Sequence, residues 1–192
     1  IYAVLSVNTD KPPAKICITS FDKEEDIWSE RYWQAWYEDF EKYALPLQRR
    51  AEDQIEVGAP PIKTKSGWLL LYSYIRDYFS KSRERLLGVE AVLLDLEDPY
   101  KILGRIEVPM LTPEECYERV GLVPNVVFPS GALVRRNRLY IYYGASDTTC
   151  CVASTRLPLI LWLLLKKPKM LKLQRATENP IIQPAKEHTW ES

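Results

Sequence analysis

A hairpin-like segment occurs twice in this sequence, and this repeat constrains the fold more than any other feature. Residues 61–74 (PIKTKSGWLLLYSY) and residues 132–145 (ALVRRNRLYIYYGA) align without a gap at an offset of 71. In each copy a short strand leads through a polar turn, at residues 65–67 or 136–138, into a strand rich in aromatic residues. This pattern is typical of a β-hairpin.

A short apolar strand that ends in a polar residue accompanies the hairpins at residues 16–20, 91–95 and 151–155. The repeating unit therefore has about four strands and recurs every 60–75 residues. Four-stranded units in a radial array form a β-propeller. A β-sandwich can also contain similar hairpins, so the repeats predict an all-β fold and leave these two architectures open.

One segment departs from the β pattern. Trp33, Trp36, Tyr37 and Phe40 have the i, i+3, i+4, i+7 spacing of an amphipathic helix. We predict one inserted helix over residues 29–43, which ends before Pro46, and we expect its aromatic stripe to serve packing. The apolar run 157–165 has nine residues, too few to span about 30 Å of hydrocarbon as a helix. We interpret it as a buried helix or strand that closes a domain.

Composition excludes several classes of function. Lysine plus arginine is 26 and aspartate plus glutamate is 26, so the net charge is zero and argues against a nucleic-acid partner. The single histidine, His188, excludes a zinc site with several histidines. The four cysteines have no C-x-x-C spacing, which argues against a zinc ribbon. We expect no metal, reduced thiols, no membrane span and a cytoplasmic location.

Three residues are candidates for chemistry. Lys63 follows a Gly-Pro-Pro approach onto a strand, where its ammonium suits an anion such as phosphate, or it extends from the sheet edge into solvent. Asp147 follows an aromatic strand, where an acid can accept bonds from sugar hydroxyls or cap a turn. Asn125 lies in a proline-bracketed strand region, and either a functional or a turn role is open for it.

Five stretches, taken together and in order, resemble glycoside hydrolase family 130, the β-mannoside phosphorylases and related β-mannosidases. They cover roughly residues 50–155. The matching stretches are residues 57–68 (VGAPPIKTKSGW), 91–99 (AVLLDLEDP), Gly104-Arg105 with the region 109–118, 123–131 (VPNVVFPSG) and 142–147 (YYGASD).

The resemblance implies a fragment of a five-bladed β-propeller with its active site in the central cavity. It implies inverting chemistry, in which phosphate, or water in the hydrolases, attacks the anomeric carbon of a β-mannoside while one aspartic acid protonates the leaving group. Lys63 aligns with a phosphate-contacting lysine and Asp147 with an aspartate that contacts the mannosyl unit. Asn125 is assigned to substrate binding.

One position departs from the family pattern. Ser73 stands where the phosphorylases commonly have histidine. We assign Ser73 to the phosphate site with Lys63, but the departure leaves hydrolysis open. No match to the general-acid region is present, so we expect that residue outside this chain and expect the chain alone to be inactive.

The domain organisation follows from the same resemblance. Residues 1–165 are interpreted as later blades, residues 166–176 as a basic linker, and residues 177–192 as the start of a second or permuted propeller copy. The favoured function is phosphorolysis of β-mannosides to mannose 1-phosphate, with inorganic phosphate as co-substrate and no cofactor. The alternatives are hydrolysis of the same bond and a non-catalytic glycan-binding propeller. A homo-oligomer stays open.

Overall fold

The structure, a computed structural model that describes residues 1–79, 85–166 and 173–183, contains three antiparallel sheets. His188 and residues 167–172 of the predicted basic linker lie outside the described residues. The strands are β1 (Tyr2–Val7), β2 (Lys15–Ser20), β3 (Gln54–Val57), β4 (Ile62–Lys63), β5 (Trp68–Arg76), β6 (Leu86–Leu94), β7 (Ile102–Arg105), β8 (Val127–Arg135), β9 (Arg138–Ala145), β10 (Thr149–Arg156) and β11 (Gln174–Arg175). The α-helices are α1 (Glu30–Glu38), α2 (Cys116–Arg119) and α3 (Leu157–Lys166), and 3₁₀ helices occur at Glu24–Trp28 and Phe40–Tyr43.

The sheets follow one another along the chain. The first sheet pairs β1 with β2, and the second has the order β3-β5-β6-β7, with β4 also paired to β5. The third sheet has the order β8-β9-β10-β11. The prediction of a mostly β fold built from recurring units is confirmed.

Both predicted hairpins are present. β4 pairs with β5 and β8 pairs with β9, each across the polar turn that the repeat predicts. In the second hairpin Arg136 and Asn137 have φ values of 50° and 61°. A left-handed conformation at both turn residues is what a two-residue type I′ turn requires.

Two apolar layers join the three sheets face to face. On β5, Leu70, Tyr72 and Tyr74 belong to the cluster shared with Ile16 and Ile18 of the first sheet. The alternate residues of β5, such as Leu69 and Leu71, belong to the cluster shared with the third sheet. Because side chains alternate between the faces of a strand, the second sheet lies between the other two.

The predicted helix over residues 29–43 divides into α1 and the 3₁₀ helix Phe40–Tyr43. Ser29 begins α1, since its side-chain oxygen accepts a hydrogen bond from the Tyr32 backbone N–H at 3.3 Å. Trp36 is buried and packs with Val7 and Cys17. The aromatic stripe therefore packs against the first sheet, as expected.

The prediction of one inserted helix misses α2, whereas α3 is the helical form that the interpretation of the apolar run left open. The apolar run forms α3, whose Ile160 and Leu164 are buried in the layer between the second and third sheets. Gly104 of β7 lies so close to the Leu164 carbonyl that a Cβ atom would not fit there. Within the described residues, no helix is long and apolar enough to cross a membrane.

Candidate functional site

Lys63 lies at the exposed end of β4, directly opposite Trp68 of β5. Its Nζ atom lies 5.5 Å from the centroid of the Trp68 ring. Trp68 also lines a cleft of about 360 Å³ between the first and second sheets, together with Tyr2, Pro61 and Pro99. A cation held over an indole face is attracted by the negative face of the ring. The structure thus gives Lys63 a fixed neighbour and leaves its ammonium group accessible.

Ser73 is fully buried within the second sheet. It lies five residues beyond Trp68 on β5, which corresponds to about 17 Å at a rise of about 3.3 Å per residue. An odd separation also puts Ser73 on the opposite face of the sheet from Trp68 and Lys63. Among the described residues its hydroxyl has no hydrogen-bond partner. The structure therefore does not bring Ser73 and Lys63 together.

Asn125 and Asp147, in contrast, lie near each other in the chain segments at one end of β8 and β9 in the third sheet. Val127 pairs with Ala145, so the residues before β8 and after β9 leave the sheet at the same end. The Ser146 N–H donates to the Val126 carbonyl at 3.0 Å, which ties the two segments together. Asp147 is exposed.

Both of these residues have left-handed backbones. The φ angle is 60° at Asn125 and 49° at both Ser146 and Asp147. Such conformations are uncommon outside glycine, although asparagine and aspartate tolerate them, and they persist where the surroundings hold them. Asn125 and Asp147 are thus turn residues, and these turns place two polar residues at the same end of β8 and β9.

Sequence reasoning missed a buried ion pair beside Tyr72. Arg49 donates to both oxygens of Glu90 at 2.8 and 2.7 Å, and the Tyr72 hydroxyl donates to Glu90 at 2.9 Å. Burial and the adjacent Glu90 carboxylate hold the pKa of Tyr72 well above its ordinary value. The Arg49 guanidinium also lies 3.8 Å from the centroid of the Tyr74 ring. These contacts attach the segment before β3 to the second sheet.

A second buried ion pair lies beside Tyr143. Arg175 donates to both oxygens of Glu118 at 2.7 and 2.8 Å, and the Tyr143 hydroxyl donates to Glu118 at 2.8 Å. The backbone N–H groups of Glu114 and Glu115 donate to the same carboxylate. Burial raises the pKa of Glu118, but Arg175 and these donors more than offset that effect, and the net pKa is lowered.

Arg175 belongs to the stretch interpreted from sequence as a basic linker. In the structure it lies on β11, which pairs with β10, and Ile182 beyond it bridges to Cys150. The equivalent position in the second sheet is the bridge between Val89 and Leu111. The only sequence signal for either ion pair was Tyr72 and Tyr143, which occupy equal positions in the two hairpins and need a partner when buried.

The described residues contain no cluster of three or more histidine, cysteine, aspartate or glutamate side chains that could hold a metal ion. Cys17 and Cys151 are buried, and Cys116 and Cys150 are exposed, all as free thiols. Burial raises the pKa of Cys17 to about 11. A thiol that resists ionisation is a poor nucleophile, so Cys17 is not a candidate for covalent chemistry.

Comparison with known proteins points to one family. A family model described as beta-1,4-mannooligosaccharide phosphorylase matches residues 35–167. This range contains both hairpins and all four candidate residues, Lys63, Ser73, Asn125 and Asp147.

The curated relatives are phosphorylases. The chain is 41% identical over 119 residues to the 1,2-beta-oligomannan phosphorylase of Thermoanaerobacter sp. (strain X514), a match that covers 62% of this chain and 38% of that protein. It is 45% identical over 100 residues to a beta-1,2-mannobiose phosphorylase of the same organism, with 52% and 31% covered. The chain therefore spans less than two-fifths of the length of these relatives.

One solved structure has a similar fold. It is the beta-1,2-mannobiose phosphorylase from Listeria innocua in complex with beta-1,2-mannobiose, with a TM-score of 0.61 and 27% sequence identity. The similarity covers 85% of this chain and 42% of that one.

Proposed function

Since this chain belongs to the beta-1,4-mannooligosaccharide phosphorylase family, glycoside hydrolase family 130, we propose that it is part of an enzyme that cleaves β-mannosides with inorganic phosphate. The observation that carries the proposal is the family match over residues 35–167. The relatives named above are phosphorylases, which favours phosphorolysis over hydrolysis. Because the names of these relatives specify β-1,2-linked mannosides, that linkage is the first to test.

We propose that the three sheets are consecutive blades of a five-bladed propeller. Two features support this. The sheets stack in chain order through shared apolar layers. In addition β3 and β8, which would be inner strands, approach each other where Gly58, directly after β3, lies against Pro129 of β8 without room for a side chain. A propeller brings the innermost strands of its blades together around one axis in this way.

Each candidate residue would have its own part in the reaction. The Lys63 ammonium would donate to a phosphate oxygen. Asp147 would accept hydrogen bonds from mannosyl hydroxyls, and the Asn125 amide would donate and accept them. An inverting displacement needs the nucleophile and the general acid on opposite sides of the anomeric carbon. The general acid would come from outside this chain, and the separation of Ser73 from Lys63 argues against a shared phosphate contact.

The organisation of the chain beyond the third sheet is also a proposal. Residues 177–192 would open a second or permuted copy, after a linker at residues 166–176. Gln174–Arg175 and Ile182 pair with β10, so the linker and the first residues of the proposed copy lie against the third sheet. The four free cysteines support a cytoplasmic location.

The test is a product assay on the full-length protein. It is incubated with β-1,2- and β-1,4-mannooligosaccharides, with and without phosphate, while mannose 1-phosphate and free mannose are followed. Mannose 1-phosphate that forms only with phosphate supports the proposal. Free mannose at the same rate with and without phosphate would instead indicate the hydrolase alternative.

The assigned residues are tested in the same assay. Asp147→Ala should raise KM for the mannoside, whereas Lys63→Gln should raise KM for phosphate. Asp98→Ala, which removes an exposed turn carboxylate, is the matched control for Asp147→Ala. Unchanged KM for the mannoside in Asp147→Ala would contradict its role.

A further inference from the structure

Two stretches of the chain carry the residues proposed to bind the mannosyl unit. The α2–β8 segment (residues 120–126) contains Asn125, and the β9–β10 turn (residues 146–148) contains Asp147. Ser146 joins the two stretches, since its backbone N–H and its carbonyl bond at 3.0 and 3.2 Å to residues of the α2–β8 segment on either side of Asn125. The backbone next to Asp147 is therefore tied directly to the backbone next to Asn125.

Further contacts tighten this connection. The Leu122 N–H donates to the Thr148 hydroxyl oxygen at 3.0 Å, and the Thr148 hydroxyl donates to the Ser146 carbonyl at 2.9 Å. Gly121 approaches so closely that a Cβ atom there would lie 2.5 Å from the Ser146 carbonyl oxygen. The α2–β8 segment and the β9–β10 turn therefore form one packed unit.

Glu118 of α2 holds this unit from below. The Val126 N–H donates to the Glu118 backbone carbonyl at 3.1 Å, so the α2–β8 segment returns to α2 directly after Asn125. The carboxylate of the same residue accepts hydrogen bonds from Arg175 on β11 and from Tyr143 on β9. Because Glu118 is fully buried, these bonds attach the α2–β8 segment to two strands of the third sheet.

The other buried ion pair offers an internal reference. Arg49 and Glu90 bond to each other, and the Tyr72 hydroxyl donates to Glu90 as the Tyr143 hydroxyl does to its own glutamate. Tyr72, however, belongs to the apolar layer between the first and second sheets, and Arg49 attaches the segment before β3. The two ion pairs are thus alike in chemistry and differ in the segment that they hold.

We propose that Glu118 is a positioning residue for the mannosyl site. Held by Arg175 and Tyr143, it fixes the α2–β8 segment so that Asn125 stays at the distance from Asp147 at which both can contact one sugar unit. A fully buried side chain does not touch the substrate, and Glu118 acts through geometry, since a small displacement of a binding group weakens its contacts steeply. This inference rests on the proposed function, which assigns the two contacts to the mannosyl unit.

The test compares matched substitutions in the two ion pairs of the full-length protein. Tyr143→Phe and Tyr72→Phe each remove a hydroxyl that donates to a buried glutamate, and Arg175→Met and Arg49→Met each remove the arginine. For each variant the product assay gives kcat, KM for β-1,2-mannobiose and KM for phosphate. The temperature is one at which circular dichroism shows every variant to be folded.

Tyr143→Phe should raise KM for the mannoside by roughly two- to tenfold, the range that corresponds to one lost hydrogen bond, and should leave KM for phosphate unchanged. Arg175→Met should raise KM for the mannoside further. Tyr72→Phe and Arg49→Met should keep both wild-type values, because they disturb a different segment. An equal rise in Tyr72→Phe would mean that the effect is general destabilisation, and it would overturn the proposal.

Alanine variants separate this inference from the proposed function. Once Asn125→Ala has removed the amide that the α2–β8 segment presents, adding Tyr143→Phe should raise KM for the mannoside no further, and a further rise would contradict the proposal. Unchanged KM for the mannoside in both Asn125→Ala and Asp147→Ala would contradict the mannosyl site itself, and with it the role of Glu118. A raised KM in those two variants, with wild-type values in Tyr143→Phe and Arg175→Met, would overturn the role of Glu118 alone.

Discussion

The second and third sheets place a tyrosine at the same position and bury an ion pair against it. Tyr72 and Tyr143 are separated by 71 residues, the offset of the hairpin repeat. Each hydroxyl donates to a glutamate that is fully buried, and each glutamate is held by an arginine through both oxygens. We call these the Glu90 cluster (Arg49, Glu90, Tyr72) and the Glu118 cluster (Arg175, Glu118, Tyr143).

The two clusters take their glutamate and their arginine from different elements of the fold. In the Glu90 cluster the glutamate lies on β6 of the sheet and the arginine lies in the segment before β3. In the Glu118 cluster the glutamate lies on α2, before β8, and the arginine lies on β11 at the outer edge of the sheet. The comparison teaches that the repeat preserves the place of the buried pair and not the residues that supply it.

The surroundings of the two carboxylates also differ. Glu90 accepts three hydrogen bonds, all from the Arg49 and Tyr72 side chains. Glu118 accepts two further bonds from backbone N–H groups, at Glu114 and Glu115. Removal of the arginine should therefore lower the stability of the protein more in the Glu90 cluster than in the Glu118 cluster.

Arg49→Met should have the largest effect on stability. It leaves Glu90 buried with one remaining donor, and breaking a buried pair costs about 3–5 kcal/mol. The free energy of unfolding from urea titration measures the loss. Arg31→Met, at an exposed position of α1, is the control, and a loss of stability no larger than that of the control would contradict this prediction.

Arg175→Met should destabilise less, by about 2–3 kcal/mol, because three of the five donors to Glu118 remain. The same urea titration compares it directly with Arg49→Met. If Arg175→Met were the more damaging change, the two backbone donors would not compensate the carboxylate, and the comparison of the clusters would fail.

Tyr72→Phe and Tyr143→Phe should each cost about 1–1.5 kcal/mol, since each removes the hydrogen bond from the hydroxyl to the glutamate and leaves the ion pair in place. Tyr143→Phe also removes the long bond of 3.5 Å that the Asn179 amide donates to the hydroxyl. Equal losses are expected because the two hydroxyls have equivalent positions. Tyr142→Phe, at a neighbouring exposed position of β9, should be neutral. A difference of more than about 1 kcal/mol between the first two variants would show that the equivalence is only geometric.

Acidification should have the smallest effect, and it acts on the Glu118 cluster. The folded-state pKa of Glu118 is lowered, so its stabilisation is present above the unfolded pKa of about 4.3 and is lost as pH falls through the folded pKa. Glu118→Gln should therefore flatten the decline in stability below about pH 4.5. Glu38→Gln, at an exposed position, should keep the wild-type slope, and a wild-type slope in Glu118→Gln would contradict the assignment.

Much of the fold follows from the sequence because hairpin periodicity and turn chemistry are local. The strands around residues 65–67 and 136–138 are at their predicted positions, and Ser29 begins the inserted helix. The ion pairs could not be predicted in this way, since Arg175 and Glu118 are 57 residues apart and charged residues are usually exposed. The burial of Ser73 could not be predicted either, because a motif gives the position of a residue along its strand but does not show which face of the sheet is open to a ligand.

The most direct measurement is an NMR time course of the full-length protein with β-1,2-mannobiose and inorganic phosphate. An inverting phosphorylase turns a β-mannoside into the α anomer of mannose 1-phosphate and consumes one phosphate for each bond cleaved. The account predicts this anomer, released together with an equal amount of mannose. Release of free mannose alone, with phosphate unconsumed, would contradict it.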